Sequence, residues 1–222
     1  MYSSRMEQTE VRGAGRAGLD RATILDAAVA LVDREGLAAL NMRALAQELG
    51  VGTMSLYHYV PNKDAMLDGI TERVLAEIEL PAEGSGPWEQ RALFMARSFR
   101  GVALRHPHCV PLLVTRTFQS PVALRPCEAA FAILAEGGFE PPQALVLFRT
   151  ILAYCLGFVM MESAGFFGRD GFGYDASELR ALGLGRLAAL SPHLGGRDVA
   201  ADFDTGMLTI LAGSLVPAGA GA

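Results

Sequence analysis

The chain has 222 residues, 51% of them hydrophobic and only 19% charged, which excludes a disordered chain. Such a surplus of apolar residues fits a dimer interface or an apolar cavity in addition to an ordinary core. The net charge is −5 with a pI near 5.4, which excludes nucleic-acid binding by bulk attraction and leaves only locally placed cations for that role.

Residues 1–18 are rich in Gly, Arg and polar side chains and read as a flexible arm. Between Arg12 and Arg21 the arm carries Arg16 and a single acid, Asp20. These arginines are local cations, although Arg12 and Arg16 suit a solvated tail equally well. Asp20 reads as an N-cap, with Leu19 and Ile24 at the spacing of a hydrophobic staple. Ile24, Ala27, Ala28, Leu31 and Val32 then repeat at helical spacing until Gly36. Leu40, Asn41 and Leu45 repeat the staple around an Asn cap, and Gly50 stops this second helix. Val51, Gly52 and Leu56 start a third. Pro61 and Asn62 end it, and Asn62 caps a fourth helix expected over 63–80. Pro81 to Pro87 reads as a turn between domains. Further helices are expected near 88–105, 120–136, 142–164, 176–190 and 198–215, with a short piece over 107–115. No period-2 strand is found. The fold class expected is all-α: a three-helix N-terminal domain holding a helix-turn-helix, followed by a larger helical domain. The division expected is an arm over 1–18, a DNA-binding domain over 19–64 and an effector-binding and dimerising domain over 65–222.

Three features along the chain point to no chemistry. Gly165 to Gly173 is glycine-rich, but no strand precedes it and the spacing is wrong for a phosphate loop. Ala144 to Met161 is apolar enough for a membrane span. Arg149 near its middle is costly in lipid, so a helix buried on several faces of a soluble bundle is expected, with no membrane partner. Cys109, Cys127 and Cys155 are odd in number and form no CxxC, as free thiols in a reducing, cytoplasmic compartment would. No secretory signal is read at the start.

The segments 42–49 and 53–59, joined at Gly50 to Gly52, have the layout of a helix-turn-helix. Leu56 would anchor the second helix inward. Thr53, Met54, Ser55, Tyr57, His58 and Tyr59 present hydroxyls, a thioether and rings, where a core helix would be apolar and a solvated one richer in Lys and Glu. Such groups can bond to phosphates and base edges in a groove. Alternatively, Tyr57 and Tyr59 pack at a domain junction. Arg43 and Lys63 flank the segment, and Arg43 could instead pair with Glu48.

The run ILDAAVALVDREGLAALNMRALAQELGVGTMSLYHYVPNKDAMLDGI, Ile24 to Ile70, resembles the DNA-binding domain of the tetracycline-repressor family. The resemblance lies in the EGL after the first helix, NMRxLA opening the second, ELGV before the turn, SLYxY in the recognition helix and NKDAML opening the fourth. It implies that Thr53, Met54, Ser55 and His58 lie where that family reads bases or nearby phosphates. Tyr57 and Tyr59 lie where it contacts phosphates and groove walls. Asn41 and Arg43 open a helix that approaches the DNA backbone, and Lys63 stands at the position of a phosphate-binding lysine. The partner implied is a double-stranded operator, and repression is the family's commoner mode.

The C-terminal region resembles the same family more weakly, through HPHCVPLLVTR, EGGFEPPQAL and ILAYCLGFVMME. This implies a homodimer formed by two helices from each chain, assigned to about 142–164 and 198–215. Two recognition helices could then enter successive major grooves about 34–36 Å apart. A small effector would alter that spacing through the fourth helix. Candidate effector contacts are Phe94, Phe99, Leu113, Phe118, Phe131, Phe148, Phe158, Met161 and Phe167. Each is explained singly as core, and as a set they suit a mostly apolar ligand. The family's metal-contacting histidine aligns with Leu112, and its acidic partner with Met161 or Glu162, so no metal and no cofactor is expected. His106, His108 and Cys109 lack a fourth ligand. No nucleophile elbow, HExxH or P-loop occurs, and no enzyme is expected.

Overall fold

The computed structural model describes residues 19–116, 120–168, 173–194 and 198–214. Every regular element among them is helical: α1 (Arg21–Glu35), α2 (Met42–Glu48), α3 (Thr53–Tyr57), α4 (Lys63–Ala76), α5 (Trp88–Arg105), α6 (Val110–Thr115), α7 (Pro121–Glu136), α8 (Pro141–Ser163), α9 (Ala176–Ala181), α10 (Gly185–Leu190) and α11 (Val199–Gly213), with short 3-10 turns at Leu37–Ala39, Phe166–Gly168 and Ser191–His193. The chain divides into two compact units, one of residues 1–77 and 108–124, the other of 78–107 and 125–222.

In the first unit, polar caps set the helix starts. Asp20 accepts from the Thr23 amide at 2.7 Å, Asn41 from Ala44 at 2.9 Å and Asn62 from Ala65 at 2.8 Å. Each satisfies a backbone donor that the first turn leaves without a helical partner. The apolar faces then meet in one core, in which Ile24, Ala28 and Val32 of α1, Leu45 of α2, Leu56 of α3 and Met66, Ile70 and Val74 of α4 are all buried. Gly69 lets α4 pass close to α1: a Cβ there would sit 2.5 Å from Leu25 Cδ2 and 2.8 Å from Cδ1. Leu25 is itself fully buried and has little room to yield. Gly69→Val is therefore expected to cost about 1–3 kcal/mol by overpacking, against a small gain in helix propensity. Urea unfolding checks this, and an unchanged midpoint would refute the close packing. Charged pairs tie the same helices at the rim, with Arg73 Nε donating to Asp26 at 2.6 Å and Arg21 to Glu72 at 3.1 Å.

In the second unit, α5, α7, α8 and α11 surround a core of Ala92, Leu93, Ala96, Ile133, Cys155, Phe203, Met207 and Leu211. Tyr154 packs so closely on Gly206 that a Cβ there would meet its ring Cζ at 2.8 Å. Its hydroxyl donates to the Phe203 carbonyl at 2.8 Å. Arg97 bridges to Asp204 through Nε at 2.8 Å and Nη2 at 2.6 Å.

Three expectations are corrected. The fourth helix ends at Ala76, not near residue 80. The helix expected over 176–190 is two. The Leu184 amide reaches the Leu179 carbonyl at 2.9 Å, the Gly183 amide reaches that of Arg180 at 3.0 Å, and Gly183 has φ +75°. This bonding pattern closes a helix and needs a residue that tolerates the left-handed region. Finally, α8 is not buried on several faces by its own chain. Its mean hydropathy over an 18-residue window is 2.0, yet only 22% of that window is buried. By length and composition α8 is the one helix among the described residues that could cross a membrane.

Candidate nucleic-acid interface

Helices α2 and α3 are joined by the four residues 49–52, in a turn whose geometry is local. The Val51 amide donates to the Ala46 carbonyl at 3.0 Å and the Gly50 amide to that of Gln47 at 3.2 Å, with Gly50 at φ +65°. Glycine at this point closes α2 without a Cβ penalty. From there α3 starts at Thr53, and Leu56 and Val60 are buried below it. With those two anchors inward, the opposite side stands free. Met54 is 79% exposed, Tyr57 43% and Tyr59 37%. Ser55 and His58 are also exposed, and Thr53 is half-buried. Thr53, Met54, Tyr57 and His58 share one face by helical spacing. The His58 and Tyr59 rings meet edge to face with centroids 5.2 Å apart.

Charge is distributed unevenly around this helix. Of the six Arg and Lys side chains described in the first unit, Arg21, Arg34, Arg73 and Arg116 are held by carboxylates. Glu48 is engaged by Arg34, through Nη1 at 3.2 Å and Nη2 at 3.0 Å, and not by Arg43. Arg43 and Lys63 make no ion pair with any described residue, and both are exposed. Asn41 is also exposed, but its side chain is committed to capping: Oδ1 accepts from the amides of Arg43 and Ala44, and Nδ2 donates to the Ala39 carbonyl at 3.0 Å.

The candidate effector residues separate. Phe131 and Phe148 lie 4.8 Å apart between ring centroids. Phe158 stacks on Phe167 at 4.6 Å and meets Phe203 edge to face at 5.1 Å. Phe99 packs on the same core as Phe158. Leu113 is buried in the first unit, whereas the other described candidates belong to the second. Met161 is exposed, and Phe118 lies outside the described residues. Phe94 lines an open cavity of about 540 Å³ with Leu80, Pro81, Gln90, Arg91 and Arg97, while the other described candidates do not. Three residues outside the expected set join this aromatic cluster. The Tyr154 and Phe203 rings stack at 5.4 Å, and Arg100 lies with its guanidinium 5.5 Å from the Phe203 ring and its Nε donating to Glu162 at 2.8 Å.

Metal ligands do not gather among the described residues, where no group of three or more His, Cys, Asp or Glu side chains forms. Leu112 is buried, and Glu162 is occupied by Arg100. His108 Nδ1 lies 3.0 Å from the Val32 carbonyl. The Cys109 thiol is pushed up to about 12 by burial, with Asp33 and Glu77 adding to the effect. A thiol so hard to ionise is a poor metal ligand.

A short helix with an exposed polar and aromatic face, pinned by buried leucine and flanked by two unpaired cations, defines a helix-turn-helix DNA-binding protein with a helical second unit. Known proteins agree. The description "Bacterial regulatory proteins, tetR family" matches residues 24–70, and "Tetracyclin repressor-like, C-terminal domain" matches 80–216. An HTH-type transcriptional regulator of Saccharopolyspora erythraea is 35% identical over 201 residues, covering 88% of this chain and 84% of its own. The HTH-type transcriptional repressor DrrR1 of Streptomyces coeruleorubidus is 37% identical over 140 residues, which span 63% of this chain and 51% of that relative. The crystal structure of ActR from Streptomyces coelicolor in complex with actinorhodin superposes with a TM-score of 0.79 at 32% identity, covering 93% of this chain and all of that one. The chain belongs to the tetR family of DNA-binding transcriptional regulators.

Proposed function

We propose that the protein is a homodimeric, cytoplasmic repressor that holds a palindromic operator and leaves it when a small, mostly apolar effector binds. The observation that carries this reading is the α3 surface: Thr53, Met54, Ser55, Tyr57, His58 and Tyr59 standing over buried Leu56, between unpaired Arg43 and Lys63. In this reading residues 19–64 read DNA, and 65–222 bind the effector and dimerise. Thr53, Met54, Ser55 and His58 meet bases or their phosphates. Tyr57 and Tyr59 meet phosphates and groove walls. Arg43, Lys63 and the turn capped by Asn41 approach the backbone.

Dimerisation is supported by what the single chain leaves uncovered. On α8, Val146, Thr150, Ala153, Gly157 and Met160 are exposed at alternating four- and three-residue spacing. On α11, Ala201, Thr205, Leu208 and Ala212 repeat it. Apolar and small residues at this spacing suit helix-on-helix packing between copies. A small-molecule effector is supported by ActR, a relative that holds actinorhodin, and its mostly apolar character by the aromatic pairs Phe131–Phe148 and Phe158–Phe167. The ligand acts by binding one arrangement of the dimer more tightly than the other, which shifts the population away from DNA. No step of this cycle is catalytic.

The test is fluorescence anisotropy of the purified protein with its own upstream DNA and with a scrambled duplex, across salt. The expected result is selective, salt-dependent binding of two chains per site. Equal, weak binding to both duplexes, with no site recovered by selection from genomic DNA, would sink the reading.

A further inference from the structure

Arg116, the residue after α6, reaches across to the start of α4. Its Nε donates to Asp68 Oδ1 at 2.7 Å, Nη1 to Asp64 Oδ1 at 3.1 Å and Nη2 to the Asp64 backbone carbonyl at 3.1 Å. The two acids stand one helical turn apart, and their side chains are 80% and 47% exposed. Asp64 directly follows Lys63. The Arg116 side chain is 22% exposed, and with both carboxylates open to solvent the pairs add only modestly to stability. Its electrostatic effect is larger. Lys63, Asp64 and Asp68 together carry one net negative charge, and Arg116 brings the group to neutrality. A carboxylate in the first turn also competes with phosphate for the positive end of the helix.

We propose that Arg116 is a positioning residue for operator binding: it draws the Asp64 and Asp68 carboxylates to itself and offsets their charge, so that a DNA phosphate can approach Lys63. The guanidinium suits this task because its planar fork engages both carboxylates and the backbone at once, which a lysine ammonium does not. The proposal rests on the reading of Lys63 as a phosphate contact. It assigns a DNA-side role to a residue that lies in neither the helix-turn-helix nor the fourth helix.

The experiment measures operator affinity for the wild type, Arg116→Ala, Arg116→Ala with Asp64→Asn and Asp68→Asn, and the Asp64→Asn/Asp68→Asn pair alone. Arg116→Ala should weaken binding about tenfold or more at 0.1 M salt, and the deficit should shrink as salt screens the repulsion. Removing both carboxylates in the same chain should restore affinity to within about threefold of wild type. The pair alone, with Arg116 kept, should bind at least as tightly as wild type. A purely structural role for Arg116 predicts no rescue by the asparagines, so a triple variant as weak as Arg116→Ala overturns the proposal. So does an Arg116→Ala protein that binds like wild type. A wild type that does not bind DNA selectively overturns the operator reading itself, and the wild-type titration shows this before any variant is compared.

Discussion

Phe203→Ala is expected to cost about 3–5 kcal/mol of stability, the range for removing a fully buried aromatic side chain. The ring has no exposed surface. It stacks against Tyr154 at 5.4 Å and meets Phe158 edge to face at 5.1 Å, while Arg100 lies over it. Truncation leaves a cavity that neighbours cannot fill, because Tyr154 is held against Gly206 and hydrogen-bonded to the residue 203 carbonyl. The ring-on-ring attraction that exceeds simple area burial disappears as well. Urea unfolding at a fixed protein concentration is the measurement, because the dimer proposed above would make stability depend on that concentration. A destabilisation below about 1 kcal/mol would mean that the cluster collapses around the gap, a degree of relaxation not usual for buried aromatic sites.

Arg43→Ala combined with Lys63→Ala is expected to weaken operator binding roughly 10²–10³-fold near physiological salt, if each charge-assisted bond to phosphate contributes about a kcal/mol or more. The salt dependence is the sharper readout. Every phosphate left without its cation lowers the slope of log K against log salt by about 0.9, and two residues on each of two protomers should flatten it by about three to four. Arg186→Ala provides the control, because that residue is exposed on α10 in the second unit. Its substitution should leave both affinity and slope unchanged. An unaltered slope in the Arg43/Lys63 variant would show that neither cation meets a phosphate. Among the described residues of the first unit the other arginines, Arg21, Arg34, Arg73 and Arg116, are tied to carboxylates, so none of these four stands ready to compensate.

The Asp20, Asn41 and Asn62 caps, the glycine closures at Gly36 and Gly50, and the inward Leu56 were all legible in the sequence. Each depends on residues within a few positions of one another. The break at Gly183 was equally local, and the glycine after Leu182 could have revealed it. The helical periodicity through Leu190 masked the signal. Arg43 illustrates the opposite case. Its pairing with Glu48 was plausible from spacing along one helix, yet Arg34 takes that carboxylate from fourteen positions away. The stacking of Tyr154 on Phe203 is likewise beyond local pattern. Two apolar helices can be recognised singly, but which of their rings meet depends on how the helices cross.

The sequence by itself determined that the chain is all-helical, that residues 42–59 form a helix-turn-helix, and which side of α3 faces inward. Caps, turns and apolar periodicity act over a few residues and do not depend on distant packing. Only the tertiary structure decided which cations remain unpaired, that Arg116 closes over Asp64 and Asp68, that Leu113 lies in the first unit, and that α8 stands largely uncovered in the single chain. Those outcomes depend on side chains brought together from tens of residues apart, and local pattern carries no information about which of them will meet.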